Sequence, residues 1–280
     1  MIKRLINRIR QQYAYKKFAP LLYTPDLKSA YISGSVAGGS LRGKRVAITG
    51  ATGGIGRAIA ERFIKEGSFV LLIGRNINKL DHLQQEVGGE TTCYVLDLNK
   101  TETFKEVIHR LMSEQPIDIW INNAGVSTEV DKRGDTLYSK EDFFRTFEVN
   151  YTATTMLTEQ VANEMVSRHI KGSIINVTSM AAYHKGIFHT PYGIAKTALV
   201  SSTELLSRKY QNYLNIASIA PGETVSEMTG YGLGGNISKA QGGVNRLLLA
   251  EEIASTIAFL VSPLGEYIKG ETVKIYPYTY

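Results

Sequence analysis

The sequence predicts a single α/β domain built on a doubly wound parallel β-sheet. Its 280 residues are enough for one substantial core. From Lys44 onward, short apolar runs alternate with segments of helical length. The first apolar run, Val46–Ile48, leads through a glycine-rich turn into a helix that begins near Ile55. Such a strand, turn and helix open many nucleotide-binding sheets.

The later elements follow in a regular order. Strands are predicted at residues 69–73, 92–96, 117–121, 173–177, 215–219 and near 272–275, and helices at 77–87, 102–113, 141–168, 192–213 and 250–261. This alternation implies right-handed crossovers between parallel strands. Ligands bind such sheets beyond the carboxyl ends of the strands. The turn that follows each strand is therefore the place to look for a site.

The turn after the first strand has the features of a phosphate cradle. Gly50, Gly53, Gly54 and Gly56 let the backbone turn sharply and approach a ligand closely. The helix that follows points its unpaired N–H groups and its positive dipole end into the turn, which favours a pyrophosphate. The alternative interpretation is a glycine-rich turn that holds no ligand. The glycines do not have the common Gly-x-Gly-x-x-Gly spacing.

Arg75 is the residue that bears on cofactor choice. It lies 19 positions after Gly56, in the turn Gly74-Arg75-Asn76 after the second strand. Dinucleotide folds place an acid near this point to bind the ribose of NAD, or an Arg to bind the phosphate of NADP. This turn contains no acid, and a guanidinium matches a phosphate. The turn therefore favours NADP, although a solvated Arg at a strand end would look the same.

Three residues carry the predicted chemistry. Ser179 follows the strand at 173–177, and Tyr192 and Lys196 stand four positions apart, which puts them on one helix face. A phenol with a pKa of about 10 is a poor acid or base at neutral pH, but a neighbouring ammonium favours the phenolate and lowers that pKa. A Tyr tuned in this way can pass a proton to or from a carbonyl oxygen.

Together these motifs resemble the classical short-chain dehydrogenase/reductase family over about residues 44–275. Thr49 and the glycines match its opening motif, Asn122-Asn-Ala-Gly125 matches its second motif, and Ser179 lies 13 residues before the Tyr of Tyr192-x-x-x-Lys196. Because Gly53 also fits the glycine spacing of the family's extended branch, the first motif does not choose between branches. The second motif favours the classical one. The resemblance implies a Rossmann-type fold and an oxidoreductase that uses NAD or NADP.

Site residues follow from the resemblance, position by position. Tyr192 would be the catalytic acid/base, Lys196 would lower its pKa and bind the nicotinamide ribose, Ser179 would hold the substrate oxygen, and Asn150 would position a water for a proton relay. Thr178 is an alternative to Ser179 that the spacing disfavours. The residues implied to contact the cofactor are Gly50, Thr52, Gly54, Ile55, Gly56, Arg75, Asp97, Asn123, Gly125, Tyr192, Lys196, Pro221, Gly222 and Thr224. The chain reads Thr224-Val-Ser226 where the family has one Thr, so two hydroxyls compete for the last contact.

The segments outside these motifs are predicted to be an N-terminal appendage and a substrate lid. Residues 1–40 comprise a basic amphipathic helix and a Gly/Ser linker, and residues 41–280 form the catalytic domain. The helix could pack on protein, contact an anionic membrane through residues 1–18, or act as a mitochondrial targeting peptide, although it lacks serine. Residues 223–244 are rich in glycine and resemble the mobile lid of the family. Apolar pocket walls are expected from Tyr183, Phe188, Met228, Tyr231 and Leu233.

Other classes of site are disfavoured. The net charge of +6 is modest and the basic residues of the domain are scattered, so we expect no nucleic-acid surface. We expect no metal site, because no cluster of residues has ligand spacing. His184 and His189 are interpreted as substrate contacts or solvated side chains rather than as partners of a nucleophilic Ser179. The lone Cys93 is interpreted as a small buried residue and fits a reducing compartment, which favours the cytoplasm.

The expected function is hydride transfer between NADPH and a carbonyl or hydroxyl substrate, as in 3-oxoacyl reductases or other carbonyl reductases. A homodimer or homotetramer is expected from the resemblance. Two alternatives come from other classes. One is a cofactor-binding protein without activity, including one recruited to a membrane. The other is an epimerase or dehydratase of the extended branch that acts on sugar nucleotides.

Overall fold

The computed structural model describes residues 39–126, 138–183, 190–224 and 248–276. Within these ranges seven strands form one sheet in which every neighbouring pair is parallel. The strands are β1 (Arg45–Thr49), β2 (Phe69–Gly74), β3 (Thr91–Val95), β4 (Ile119–Asn122), β5 (Ser173–Val177), β6 (Asn215–Pro221) and β7 (Thr272–Ile275). Their order across the sheet is β3-β2-β1-β4-β5-β6-β7.

Helices cover both faces of the sheet. They are α1 (Gly54–Lys65), α2 (Ile77–Val87), α3 (Phe104–Glu114), α4 (Lys140–Phe147), α5 (Thr154–Ser167), α6 (Thr190–Tyr210) and α7 (Ala250–Leu260). One core joins the sheet to α1, α2 and α7, and a second joins it to α3, α5 and α6. Strand β1 serves both cores, because Val46 and Ile48 face the first and Ala47 faces the second. These layers confirm the predicted doubly wound α/β domain.

The strand order reverses between β1 and β4. The chain builds outward from β1 to β3 on one side, then crosses back to place β4 against the free edge of β1. Residues Val46 and Ile119 are partners in this central pair. A crevice opens at the carboxyl ends of the two strands at such a reversal, and it is the usual ligand site of this architecture.

One predicted element differs from the structure in an informative way. The helix expected over residues 141–168 is divided into α4, a wider π-helical turn at Glu148–Ala153, and α5. The helix at 77–87 and the strand at 173–177 have the predicted bounds, whereas most other elements differ from the prediction by one to three residues at their ends. The interruption places Asn150 in the π turn, and such turns are frequent at functional sites.

Several expectations concern residues outside the described ranges. These are the basic N-terminal helix with most of its linker, most of the predicted lid, and the side chains of His184, Phe188, His189, Met228, Tyr231 and Leu233. The boundary between an appendage and the catalytic domain therefore stays a prediction. Among the helices that are described, none combines the length and apolar character needed to cross a membrane.

Candidate active site

The glycine turn between β1 and α1 is packed too closely for larger residues. A Cβ atom at Gly56 would lie 2.2 Å from the carbonyl oxygen of Gly50 and 2.9 Å from the side-chain nitrogen of Asn123. Gly50 has a φ of +65°, a conformation that side chains disfavour. No side chain caps the start of α1, and its first turn contains no acid. The exposed positions Thr52 and Gly54, with part-buried Ile55, thus surround a helix N-terminus suited to an anion.

Asn123 fastens this turn to the end of β4. Its side-chain nitrogen donates to the carbonyl oxygens of Thr49 and Gly50, both over 3.1 Å. In return, the hydroxyl oxygen of Thr49 accepts from the backbone nitrogens of Asn123 and Ala124 over 3.0 and 3.1 Å. The two strands at the reversal point are therefore joined by side chains just where the cradle begins. The Thr49 hydroxyl as an acceptor is not visible in the sequence, where Thr49 is only part of the glycine motif.

Arg75 and Asp97 stand at the ends of neighbouring strands, after β2 and β3. The Arg75 side chain is exposed. Asp97 accepts hydrogen bonds from the backbone and side-chain nitrogens of Asn99 over 3.1 and 2.9 Å. These bonds, the backbone one foremost, lower the pKa of Asp97, and the charges of Arg75 and Lys100 lower it further. Asp97 is therefore an anion at neutral pH, and Arg75 is close enough to act on it.

Ser179, Tyr192 and Lys196 meet beyond the end of β5. Ser179 caps a short 3₁₀ turn at Met180–Ala182, and its hydroxyl oxygen accepts from the backbone nitrogen of Ala181 over 3.1 Å. Lys196 is buried and donates from Nζ to the carbonyl oxygen of Val177 over 2.9 Å. That Nζ lies 5.6 Å from the centroid of the Tyr192 ring. Thr178, the alternative, donates its hydroxyl to the carbonyl of Ile219 at 2.8 Å, which commits it to the sheet.

Burial governs the ionisation of this cluster. It raises the pKa of the Tyr192 phenol, and the hydrogen bond with Ser179 lowers that pKa in part. Burial also lowers the pKa of Lys196 from 10.5 to about 8. In this structure the contact that lowers the pKa of Tyr192 comes from Ser179. The predicted effect of Lys196 on that pKa stays a prediction, and the Lys196 ammonium is itself desolvated and bonded to Val177.

Asn150 is buried in the π turn and makes three hydrogen bonds with its side chain. Its nitrogen donates to the carbonyls of Val126 and Thr146, both over 2.8 Å, and its oxygen accepts from the backbone nitrogen of Val126 over 3.2 Å. A Cβ at Gly125 would lie 2.7 Å from that oxygen and 3.7 Å from the Lys196 nitrogen. Gly125 therefore lies between Asn150 and Lys196, so the structure brings all three together.

The segment after β6 closes the site on the side of β7. The backbone nitrogen of Gly222 donates to the carbonyl of Ile275 over 2.7 Å, which continues the β6–β7 pairing beyond Pro221. Thr224 is buried, and its hydroxyl donates to the carbonyl of Gly222 over 2.9 Å. The competing hydroxyl, Ser226, lies outside the described residues, as do His184 and His189.

A buried polar network supports the site from below, and Asn122 is its only member that the sequence motifs contain. The Asn122 side chain accepts from Trp120 Nε1 over 2.8 Å and donates to Thr158 over 2.9 Å and to Asn176 over 2.8 Å. Asn176 in turn donates to Thr203 over 2.9 Å. The network joins β4 and β5 to α5 and to α6, the helix that carries Tyr192 and Lys196. Paired polar residues in two adjacent buried strands were the available signal. In the described part of the chain, no group of His, Cys, Asp or Glu could hold a metal ion.

Comparison with known proteins identifies the family. The family model described as short chain dehydrogenase matches residues 44–232. Nodulation protein G of Rhizobium meliloti (strain 1021) is 30% identical over 240 residues, covering 84% of this chain and 96% of the relative. The 3-oxoacyl-[acyl-carrier-protein] reductase FabG of Rickettsia bellii (strain RML369-C) is 30% identical over 246 residues, with the same two coverages.

A solved structure agrees with these sequence matches. The short-chain dehydrogenase/reductase SDR:Glucose/ribitol dehydrogenase from Brucella melitensis superposes with a TM-score of 0.75 at 28% identity, covering 86% of this chain and 99% of that one. The family match spans the cradle, the Asn-Asn-Ala-Gly motif and the Ser, Tyr and Lys cluster. The chain belongs to the classical short-chain dehydrogenase/reductase family of oxidoreductases.

Proposed function

We propose that this protein is an NADPH-dependent carbonyl reductase or alcohol dehydrogenase in which Tyr192 is the acid/base. The observation that carries the proposal is the meeting of Ser179, Tyr192 and Lys196 beyond β5, with Gly125 adjoining Lys196. A phenol, a hydroxyl and an amine around one point suit proton transfer to a carbonyl oxygen. The acyl carrier protein reductases among the relatives make a 3-oxoacyl thioester the first substrate class to test.

In the proposed reduction, Tyr192 gives its proton to the carbonyl oxygen while hydride arrives at the carbonyl carbon. A reduced nicotinamide held at the cradle would supply that hydride as the two-electron reductant. The Ser179 hydroxyl donates to the same oxygen as negative charge develops on it, which stabilises the transition state. Because its oxygen already accepts from the Ala181 backbone, Ser179 is arranged to donate outward. Its hydrogen bond to Tyr192 also stabilises the phenolate left after proton transfer.

Lys196 and Asn150 restore the proton to Tyr192 in this proposal. With a pKa of about 8, Lys196 exchanges a proton readily near neutral pH. Asn150 holds the π turn open through its bonds to Thr146 and Val126. Backbone groups in such a turn lack ordinary helical partners, so they suit a bound water that continues the relay to solvent.

The proposed preference for NADP rests on Arg75. Its guanidinium is exposed at the end of β2, and the turn that contains it has no acid to bind a ribose hydroxyl. Asp97, held as an anion by Asn99, lies beside it at the end of β3 and would bind the adenine. A 2′-phosphate would gain a charge-assisted partner in Arg75, whereas the smaller NAD would not.

Fluorescence titration with NADPH and NADH tests the cofactor assignment without a substrate. We expect NADPH to bind the wild type tightly, and Arg75→Ala to lower its affinity about tenfold or more, toward that of NADH. Lys65→Ala, an equal charge change at the far end of α1, is the control and should leave both affinities unchanged. Equal affinities for the two nucleotides in the wild type would refute the NADP preference. Failure to bind either would refute the reductase itself.

A second assay tests the reaction. Consumption of NADPH is followed with a 3-oxoacyl thioester, a simple diketone and an aromatic ketone as substrates. Turnover of any of these that depends on Tyr192 supports the proposal. A protein that binds NADPH but reduces none of them, even when the panel is extended to sugars and steroids, would instead be a cofactor-binding protein without reductase activity.

The proposal includes a homodimer or homotetramer in the cytoplasm. Members of the family generally assemble into oligomers. Exposed apolar side chains on α5 and α6, Met156 and Leu205, are available for contact with another copy. Light scattering after size-exclusion chromatography measures the assembly. Fractionation of cells, with and without residues 1–18, tests the location and the alternative of membrane contact.

A further inference from the structure

The helix that carries Tyr192 and Lys196 presents a second pair of residues to the turn that carries Ser179. Gly193 and Thr197 are also four positions apart, and they are rotated one residue from the catalytic pair. Contacts with Ala181 and Ala182 place Gly193 and Thr197 against the 3₁₀ turn at Met180–Ala182. The segment that connects the turn to α6 lies at residues 184–189, outside the described ranges. Among the described residues, two contacts fix the distance between this turn and α6.

Thr197 is the first of these contacts. Its hydroxyl oxygen lies 2.9 Å from the carbonyl of Ala182 in the turn and 2.8 Å from the carbonyl of Gly193 in its own helix. A Thr in a helix ordinarily gives its hydroxyl hydrogen to the carbonyl four residues back. Here the same hydrogen also faces a carbonyl of the turn. The hydroxyl therefore joins α6 to the residue three positions after Ser179.

Gly193 is the second contact. A Cβ at this position would lie 2.9 Å from the carbonyl oxygen of Ala181, closer than real Cβ contacts come. The backbone of α6 therefore packs directly against Ala181. That residue is also the one whose backbone nitrogen donates to the Ser179 hydroxyl over 3.1 Å. A shift of Ala181 would thus move the Ser179 hydroxyl as well.

Because the turn is buried, its position is determined by its packing and by these two contacts with α6. Met180 and Ala182 are almost fully buried, so the turn rests on a packed base. The Ser179 hydroxyl oxygen accepts from the Ala181 backbone nitrogen. The hydroxyl hydrogen is therefore available to Tyr192 or to a substrate oxygen. The direction of that hydrogen depends on where the turn sits relative to α6.

We propose that Gly193 and Thr197 are positioning residues, which hold the Met180–Ala182 turn against α6 and so set the Ser179 hydroxyl opposite the Tyr192 hydroxyl. Neither residue touches the reacting atoms in this proposal. Their effect passes through Ala181 and Ala182. The inference rests on the proposed function for its activity measurements, and it also has a measurement that needs no substrate.

Thr197→Val removes the hydroxyl with little change of shape. Thr197→Ser keeps the hydroxyl and should behave like the wild type. We expect Thr197→Val to lower kcat about tenfold, because a small misplacement of a catalytic group is enough for that loss. The KM for NADPH should stay within about twofold, since cofactor binding does not use the turn. Ser201→Ala is the matched control, because it removes a hydroxyl from the same helix one turn later.

The ionisation of Tyr192 gives the readout that is independent of substrate. In protein labelled with carbon-enriched tyrosine, the ring resonance of Tyr192 is assigned by its loss in Tyr192→Phe, and its shift is followed against pH. Since the Ser179 hydrogen bond lowers the pKa of Tyr192, weakening that bond in Thr197→Val should move the midpoint to higher pH. Thr197→Ser and Ser201→Ala should leave the midpoint where it is in the wild type.

Gly193→Ala supplies an independent variant. Alanine is the better helix former, so a loss of kcat without a loss of folding stability would indicate displacement of the turn rather than unfolding. Wild-type kcat and an unchanged Tyr192 midpoint in both Thr197→Val and Gly193→Ala would overturn the inference. A Thr197→Val protein that loses stability and NADPH affinity together, and is not rescued by Ser, would also overturn it. If the wild type reduces no carbonyl compound, the proposed function fails. The pH midpoint of the Tyr192 resonance in the variants still tests the positioning role of Gly193 and Thr197.

Discussion

The side-chain nitrogen of Lys196 donates a hydrogen bond to the carbonyl oxygen of Val177 over 2.9 Å. Val177 is the last residue of β5, and Ser179 follows it by two positions. The side chain with the proposed chemical role therefore also fixes α6 along the end of the strand. Its burial has a thermodynamic consequence, because an ammonium that loses its hydration becomes a stronger acid.

The first prediction concerns stability against pH. The pKa of Lys196 is about 8 in the folded protein and 10.5 when exposed. Between those values the unfolded chain binds more protons than the folded one, so stability should increase as pH rises. We expect Lys196 to contribute an increase of about 3 kcal/mol across that range, at about 1.4 kcal/mol per pH unit. Urea unfolding from about pH 7 to about pH 11 measures it.

The control for this prediction is Lys196→Met, which keeps an apolar stem of similar shape and cannot titrate. Other groups titrate in both proteins, so the informative quantity is the difference between the two free energies of unfolding at each pH. That difference should change steadily above about pH 8. If the two curves are parallel, the ammonium of Lys196 is not desolvated as the structure implies.

The second prediction concerns Tyr192. Tyr192→Phe removes the transferable proton and leaves the ring, so kcat for carbonyl reduction should fall at least about 100-fold. NADPH affinity, measured by fluorescence, should change little. Tyr210→Phe is the control, because that hydroxyl lies at the far end of α6 and donates to Asn163 over 2.7 Å. Retention of substantial activity in Tyr192→Phe would show that another group is the acid.

The third prediction compares two neighbouring glycines. Gly56→Ala would place a Cβ 2.2 Å from the carbonyl oxygen of Gly50, so the cradle must distort. We expect the Kd for NADPH to rise about tenfold or more, a loss of about 1.4 kcal/mol. Gly53→Ala would place its Cβ at an ordinary 3.5 Å from the same oxygen and should bind almost normally. Similar affinities for the two variants would contradict the assignment of this turn as the cofactor cradle.

The fourth prediction concerns the buried network under the site. Asn122→Ala leaves Trp120, Thr158 and Asn176 without a shared partner, and all three are buried. Because unpaired buried polar groups are costly, the free energy of unfolding should fall by about 3 kcal/mol or more. Asn163→Ala, an exposed Asn on α5, should cost about 1 kcal/mol or less. Equal losses for the two variants would mean that the network contributes no more than a surface bond.

The strands and most helices could be predicted because each carries a local signal. The predicted strands at Val46–Ile48 and 173–177 are short apolar runs. The helix at 77–87 is capped by Asn76, whose side chain accepts from the Lys79 backbone nitrogen over 3.1 Å. The π turn could not be predicted in this way. It depends on Asn150 reaching Val126, a residue 24 positions earlier, and no periodicity within the helix contains that contact.

The site residues that belong to the family motifs could be predicted from the sequence. Their ionisation and their supporting contacts depend on tertiary structure and could be predicted less well. Tyr192, Lys196 and Ser179 come together as their spacing and strand position suggested. Lys196 is predicted to lower the pKa of Tyr192, which stays a prediction, and the structure adds a lowering contact from Ser179 that spacing does not indicate. Spacing along a helix says that two side chains share a face, and it says nothing of their hydration. Thr197 was overlooked because a helical Thr is usually satisfied by its own helix.

The pairing of β1 with β4 also constrains how this chain acquires its structure. Asn123 bonds to the carbonyls of Thr49 and Gly50, which are 74 and 73 residues earlier. Such contacts form only after a long loop has closed, and loops of this kind slow folding. A nascent chain that ends before β4 has the glycines of the cradle and lacks the strand that holds them in place. Acquisition of NADPH binding would therefore report completion of the centre of the sheet, and it offers a kinetic probe of that late step.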